Sequence, residues 1–149
     1  MEDLKLQLES VIFNEALSVG ERLEQVCELL RSNIDHYDWV GFYFHQPETR
    51  TLHLRAFAGE PTDHTQIPFG KGICGQVAES NQNFIVPDVK AQDNYIACSI
   101  NVKSEIVIPL FKDGVNIGQI DIDSHTIDPF TDDDVALLEF VNAKVSEIL

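Results

Sequence analysis

Apolar residues recur at helical spacing over two stretches near the start of the chain. Residues 2–17 and 21–36 each place apolar side chains three or four positions apart, which gives each stretch one apolar face. Gly20 lies between them and is expected to interrupt the helical pattern. A third periodic stretch follows Thr131, a good N-cap residue with three aspartates after it, where the helix dipole favours acids. The pattern predicts two N-terminal helices and one C-terminal helix.

The segments between these helices carry short apolar runs or alternate apolar and polar residues, as strands do. Strands are predicted at residues 39–44, 51–57, 84–86, 105–111 and 115–123. A short helix is expected at residues 73–80, and a long loop with one helical turn at residues 88–103. The order indicates an α+β domain with one antiparallel sheet and helices packed on it. Residues 1–149 are expected to form a single domain.

The charge balance narrows the classes of partner. The chain has 10 basic and 25 acidic residues, a formal net charge of −15. Such a surface repels nucleic acid and anionic membranes, and neither is expected as a partner. The first residues resemble no secretory signal, and no apolar run approaches the length of a membrane span. A cytoplasmic location is therefore expected, in which cysteines stay reduced and do not form structural disulfides.

Three cysteines then need separate interpretations. Cys27 lies on the apolar face of the second predicted helix and is expected to be a core residue. Cys74 follows two glycines at a possible helix start, where the helix dipole would lower the pKa of a thiol. Cys98 lies in the long loop, where a nucleophile could move. The alternative is that Cys74 and Cys98 are both inert and buried. No closely spaced cysteine pair is present, so no metal site is expected.

Three carboxylates occur in otherwise apolar strands. Asp121 and Asp123 are two positions apart and so share one face of their strand, while Glu105 lies on the partner strand. A hairpin loop formed by Asp113 and Gly114 alone would place Glu105 opposite Ile122 and divide the acids between the two faces. A three-residue loop or a bulge would instead place Glu105 opposite Asp121 or Asp123.

Acids clustered on a covered face would raise at least one carboxyl pKa. Such a cluster could hold an ammonium group and also donate a proton. The alternative is that the three acids only cap the end of a sheet.

Several segments taken together resemble the free methionine-(R)-sulfoxide reductases, which are small single-domain proteins of the GAF fold. They are Trp39-Val40-Gly41-Phe42-Tyr43, Phe69-Gly70-Lys71-Gly72-Ile73-Cys74-Gly75, Val86-Pro87-Asp88-Val89, Tyr95-Ile96-Ala97-Cys98, Lys103-Ser104-Glu105-Ile106-Val107-Ile108-Pro109-Leu110 and Gly118-Gln119-Ile120-Asp121-Ile122-Asp123-Ser124. The resemblance runs nearly end to end. It implies an antiparallel sheet of about six strands, N- and C-terminal helices behind it, and a small enclosed ligand pocket in front.

The resemblance also implies roles for individual residues. Cys98 would attack the sulfur of free methionine sulfoxide and become a sulfenic acid; a second thiol, Cys74, would condense with it, and thioredoxin would reduce the resulting disulfide. The residues that would bind substrate are the pocket acids Glu105, Asp121 and Asp123 and the aromatic wall of Trp39 and Tyr43. No cofactor is implied, and the resemblance is compatible with a homodimer through the N-terminal helices.

The sequence departs from the family pattern at two positions. His64 stands where many members carry a third loop cysteine, and Ser99 stands where an aspartate usually follows the nucleophile. A GAF domain that binds or senses a small molecule without turnover is therefore the main alternative. A redox switch built on Cys74 and Cys98 is a further one.

Overall fold

The computed structural model describes residues 1–95 and 101–149. Along the chain these residues form α1 (Glu2–Ile12), α2 (Val19–Asn33), β1 (Trp39–Gln46), β2 (Thr51–Ala58), β3 (Gln66–Pro68), α3 (Gly72–Ser80), β4 (Phe84–Val86), a 3₁₀ turn (Val89–Ala91), β5 (Ser104–Lys112), β6 (Val115–Ser124) and α4 (Asp132–Ser146). Within the described ranges, no helix is both long and apolar enough to cross a lipid bilayer.

The strands form one antiparallel sheet in the order β3-β2-β1-β6-β5-β4. The predicted α+β class and the six-stranded antiparallel sheet are confirmed. The alternation of residues did not indicate β3, because this strand has three residues and only Ile67 is buried. A segment of that length is too short to show a period of two.

The sheet has a core on each face. Behind it, α1, α2 and α4 pack an apolar layer that includes Leu8, Leu30 and Leu138. In front, α3 and the neighbouring loops cover a smaller layer that includes Tyr43 and Ile73. Because side chains alternate along a strand, the same segment of β6 supplies apolar residues to the back and polar residues to the front.

The N-terminal helices have other boundaries than the sequence pattern predicts. α1 ends at Ile12 and α2 begins at Val19, so Gly20 lies inside α2 and does not interrupt it. The reason is a capping box: the Ser18 hydroxyl accepts a hydrogen bond from the Glu21 amide, and the Ser18 amide donates to the Glu21 carboxylate. A cap of this kind sets a helix start more strongly than one glycine opposes it.

The start of α4 matches the prediction. The helix begins directly after Thr131, whose amide donates to the carboxylate of Asp134. Asp134 is buried, and it also accepts hydrogen bonds from the Tyr37 hydroxyl at 2.7 Å and the His36 ring at 3.0 Å. The cap therefore also ties α4 to the segment that precedes β1.

A bulge in the β5–β6 hairpin decides which residues face each other. The loop has two residues, Asp113 and Gly114, both with positive φ (53° and 79°), as in a type I′ turn. Between Leu110 and Phe111 the pairing shifts by one residue, which leaves Ile117 of β6 without a partner on β5.

The shift in register changes the neighbour of Glu105. Without the bulge this residue would face Ile122; with it, Glu105 pairs with Asp123, and Val107 pairs with Asp121. All three acids consequently lie on the front of the sheet, which was the second of the two arrangements that the sequence left open.

We predict that Gly118→Ala destabilises the fold and that Gly20→Ala does not. A Cβ at Gly118 would lie 2.5 Å from the carbonyl oxygen of Tyr43 in the adjacent strand, whereas a Cβ at Gly20 meets nothing within 4 Å. Urea denaturation should show a loss of about 2 kcal/mol in the free energy of unfolding for Gly118→Ala. It should show a gain of about 0.5 kcal/mol for Gly20→Ala, because alanine favours the helix. Equal stability of the two variants would contradict the close contact between β1 and β6.

Candidate active site

Three carboxylates lie together on the front of the sheet. Glu105, Asp121 and Asp123 are 5%, 1% and 2% exposed, so none of them is a surface group. Among the described residues, none donates a hydrogen bond to Oδ1 of Asp121 or to either carboxylate oxygen of Asp123. Buried charged groups normally have partners, because loss of hydration is costly. The burial and the unbonded oxygens favour a binding site over the alternative, in which the acids only cap the end of the sheet.

The same burial perturbs the acidity of the cluster. It raises the pKa of Asp121, and the hydrogen bonds that Asp121 shares with Glu105 and Cys74 oppose that rise. The pKa of Asp123 is raised well above its ordinary value, first by burial and then by the charge of Asp121. The cluster thus keeps a proton at a pH where an exposed aspartate has lost its own.

Cys74 adds a thiol to this cluster. It occupies the first turn of α3, and its Sγ lies 3.8 Å from Oε2 of Glu105. The prediction that the helix dipole lowers its pKa is wrong. Burial raises the pKa of Cys74 well above its ordinary value, and the charges of Asp121 and Glu105 raise it further. Desolvation and nearby negative charge outweigh the dipole of a nine-residue helix.

The turn that positions Cys74 depends on a residue from a distant loop. The side-chain oxygen of Asn94 accepts a hydrogen bond of 2.9 Å from the Gly72 amide, and its side-chain nitrogen donates one of 2.7 Å to the Gly70 carbonyl. Gly72 has φ of +62°, a conformation that side chains disfavour. A Cβ at Gly75 would lie 2.6 Å from the Pro68 carbonyl oxygen. The glycines of this segment thus allow α3 to begin against the sheet.

Trp39 and Tyr43 form the aromatic part of the front layer. Trp39 stacks on Phe57 with ring centroids 5.9 Å apart and lies 6.4 Å from Tyr43. The indole nitrogen donates to the carbonyl of Glu60, and the Tyr43 hydroxyl donates to the carbonyl of His64. These bonds fix both rings at their polar ends, so their apolar faces form a rigid wall.

Two cavities open onto the front layer. The first has a volume of only about 10 Å³ and is lined by Tyr43, His64, Ile67, Lys71, Gly72, Ile73, Cys74, Glu105 and Asp121. The second has a volume of about 100 Å³ and is lined by Arg31, Asp38, Trp39, Glu60, Pro61, Thr62, Val102, Asp123 and His125. The acid row links the two, because Glu105 of the first cavity pairs with Asp123 of the second.

Most of the predicted site residues are brought together by the fold. Trp39, Tyr43, Cys74, Glu105, Asp121 and Asp123 all belong to the front layer of the sheet. The predicted nucleophile Cys98 lies outside the described residues, as does Ser99. Cys27 is buried in the back layer, as predicted, and burial raises its pKa well above the ordinary value.

The sequence interpretation missed two supporting residues. Gln119 is fully buried, and its side-chain nitrogen donates to the Cys74 carbonyl at 3.1 Å. Its position two residues before Asp121 on the same face of β6 was a usable signal. The second residue is Asn94, which holds the glycine turn and carries no local signal of that role in the sequence.

Comparison with known proteins identifies the fold and the family of the chain. A GAF domain model matches residues 16–149. The chain is 38% identical over 133 residues to GAF domain-containing protein A of Dictyostelium discoideum, with 89% of this chain and 82% of that protein covered. It is 35% identical over 139 residues to free methionine-R-sulfoxide reductase of Escherichia coli, with 90% and 82% covered. The chain belongs to the GAF-domain family of free methionine-R-sulfoxide reductases.

A solved reductase has the same fold over almost the whole chain. The structure of free methionine-R-sulfoxide reductase from Neisseria meningitidis in complex with its substrate superimposes with a TM-score of 0.90. The sequence identity is 34%, and the match covers 98% of this chain and 86% of that one. The sheet, the helices behind it and the layer in front of it are therefore the fold that this reductase also has.

For this member of the reductase family we predict a pH-dependent gain in stability from Asp123→Asn. The raised pKa of Asp123 means that the folded chain binds more protons than the unfolded chain between the two pKa values, so stability falls as pH rises through that interval. The asparagine variant has no carboxyl group at this position and so lacks this loss of stability. Its free energy of unfolding relative to the wild type should therefore rise as the pH increases above the ordinary pKa range of an aspartate.

The control for this experiment is Asp113→Asn in the exposed hairpin turn. Position 113 has a positive φ, which aspartate and asparagine both tolerate. The control variant makes the same change of side chain at a position that solvent reaches. A pH dependence no larger for Asp123→Asn than for this control would contradict the effect of burial on Asp123.

Proposed function

We propose that this chain reduces free L-methionine (R)-S-oxide to L-methionine, with Cys98 as the nucleophile. The Cys98 thiolate attacks the sulfoxide sulfur while an acid of the cluster protonates the sulfoxide oxygen. The oxygen passes to the cysteine sulfur, and methionine leaves with its sulfur reduced by two electrons. Cys98 becomes a sulfenic acid.

The observation that carries this proposal is the buried row of acids. Asp121 and Asp123 have carboxylate oxygens that accept no hydrogen bond from the described residues, and the pKa of each is raised. One carboxylate of the cluster, with Glu105, would bind the ammonium group of a free amino acid. A protonated neighbour would supply the proton that the sulfoxide oxygen requires, because an acid with a raised pKa keeps its proton to a higher pH than an exposed acid does.

The aromatic wall suits the other end of the substrate. Trp39 and Tyr43 hold their rings rigidly through hydrogen bonds at their polar ends. Their apolar faces would pack on the S-methyl group. Acids that bind the ammonium group would stand where the peptide bond of a longer chain would lie, which favours the free amino acid over a methionine sulfoxide within a protein.

Cys74 would resolve the sulfenic acid. Its thiol attacks the sulfur of oxidised Cys98, a disulfide forms, and water leaves with the hydroxyl of the sulfenic acid and the proton of the thiol. The thiol needs a base, because its pKa is raised. Glu105, with Oε2 at 3.8 Å from Sγ, is positioned to accept that proton.

The described residues on either side of the Cys98 segment support this pairing. Tyr95 packs against the front layer and Val102 is buried in it. Both flanking residues therefore belong to the layer that contains Cys74.

The remaining steps concern partners and context. Thioredoxin would reduce the disulfide, which places the reaction in a reducing compartment, the cytoplasm. Residues 1–149 would act as a single catalytic domain. A homodimer through the N-terminal helices is supported by the 65% exposed side chain of Leu6 on α1.

A GAF domain that binds the same ligand without turnover remains the second candidate. His64, which lines the first cavity, stands where many relatives carry a third cysteine, so the chain offers fewer thiols for recycling. The two functions differ in one measurable property, which is whether bound methionine sulfoxide is consumed.

We predict that NADPH is consumed with thioredoxin, thioredoxin reductase and the R epimer of free methionine sulfoxide, and not with the S epimer. The acids and the aromatic wall fix three substituents of the sulfoxide sulfur. The configuration at that sulfur therefore decides whether a thiolate can reach it. Binding of the R epimer by calorimetry without NADPH consumption, with all cysteines reduced, would favour the binding module.

We predict different failures for the two cysteines. Cys98→Ser should reduce no sulfoxide at all. Cys74→Ser should form about one methionine per chain in a rapid-quench experiment and then stop, because its sulfenic acid has no resolving thiol. Cys27→Ala serves as the control, since Cys27 lies behind the sheet and should be dispensable for turnover. Full thioredoxin-linked turnover by Cys74→Ser would exclude Cys74 as the resolving residue.

A further inference from the structure

We propose that Cys74, Glu105 and Asp121 form a binding site for a thiophilic divalent cation of the Zn²⁺ class in the reduced protein. The sequence indicated no metal site, because it contains no closely spaced pair of ligands. The fold instead collects the three ligands from α3, β5 and β6. One thiol sulfur and one oxygen from each carboxylate all lie within 4.8 Å of one another, and all three residues are buried.

The one ligand distance that is defined lies close to the value that zinc coordination requires. Zinc bonds thiolate sulfur at about 2.3 Å and carboxylate oxygen at about 2.0–2.2 Å, and its sites are tetrahedral. Two such ligands are then about 3.5 Å apart. The Sγ of Cys74 and Oε2 of Glu105 are 3.8 Å apart, so a shift of a few tenths of an ångström brings them to that spacing.

The electrostatics of the site also point to a cation. Asp121 is 1% exposed and lines the first cavity, and its Oδ1 accepts no hydrogen bond from the described residues. Within the described part of the chain, neither Asp121 nor Asp123 forms an ion pair with a basic side chain. Buried carboxylates without a counter-charge gain most from a bound cation.

The thiol determines which cation is preferred. Carboxylates alone would suit Mg²⁺ or Ca²⁺, which take oxygen ligands, or the ammonium group of an amino acid. A thiolate among them selects Zn²⁺ and its neighbours in the transition series. Binding replaces the S–H bond of Cys74 with a sulfur–metal bond and releases the proton to solvent, with no change of oxidation state.

A bound cation would regulate the reaction proposed above, and this consequence rests on that proposed function. The metal would engage the sulfur lone pair that Cys74 needs to attack the sulfenic acid. It would also occupy Glu105 and Asp121, which bind substrate in the proposed mechanism. Zinc would therefore hold the reduced protein inactive in competition with methionine sulfoxide.

The test is a titration of the reduced protein with Co²⁺ under anaerobic conditions, without substrate. Cobalt replaces zinc in such sites, and a cobalt–thiolate bond gives a charge-transfer absorption in the near ultraviolet. We expect this absorption in the wild type and in Cys98→Ser and Cys27→Ala, and its loss on addition of equimolar Zn²⁺. We expect none in Cys74→Ser and at least tenfold weaker binding in Glu105→Gln. Absorption that persists in Cys74→Ser, or that disappears in Cys98→Ser, would overturn the assignment.

A second measurement uses only the wild-type chain and does not depend on the folding of a variant. Zn²⁺ should protect Cys74, identified by peptide mass, from slow alkylation, and should leave the alkylation of Cys27 unchanged. Equal alkylation of Cys74 with and without Zn²⁺ would contradict the proposal. Neither readout needs turnover: an inactive chain that binds cobalt would contradict only the proposed reductase, and an active chain that binds none would contradict only the metal site.

Discussion

The candidate site depends on one unpaired residue in the β5–β6 hairpin. The bulge at Ile117 moves the register of the hairpin by one position, and through it Glu105 comes to face Asp123 across the strands. Because side chains alternate along a strand, a continuous ladder with the same two-residue loop would send Glu105 to the other face, into the apolar layer beneath the helices. The cavity, the acid row and the contact with Cys74 all follow from this single irregularity.

The two layers of the molecule divide stability from chemistry. The back layer is apolar and joins three helices to the sheet, as stable cores generally do. The front layer buries three carboxylates and a thiol at less than a tenth of their exposed area, and two of these acids have raised pKa values. That arrangement opposes folding, since a charged group loses hydration there. A fold tolerates such a cluster where the function of the site requires buried acids and where the rest of the core offsets the lost stability.

The surroundings of a cysteine, and not its place on a helix, decide its chemistry in this chain. Cys27 and Cys74 are both buried on helices, and the pKa of each is raised. Cys27 packs in the apolar back layer, on the other side of the sheet from the acid row. Cys74 faces Glu105, which can accept its proton or share a metal ion with it. The helix dipole, which the sequence pattern offered as the dominant influence on Cys74, is the weaker one here.

The sequence by itself determined most of the helices and strands and the faces on which their residues lie. Apolar spacing located the helices, Thr131 marked the start of α4, and the two-residue separation of Asp121 and Asp123 put both on one face of β6. The combination of motifs indicated the reductase family. These features follow from local periodicity and capping, which are readable within one segment. Only the tertiary structure decided the register at Ile117, the short strand β3, the support of Asn94 and Gln119, and the direction of the Cys74 pKa. Each of these features depends on contacts between distant segments and on burial. Such contacts and such burial cannot be read from any single segment of the chain.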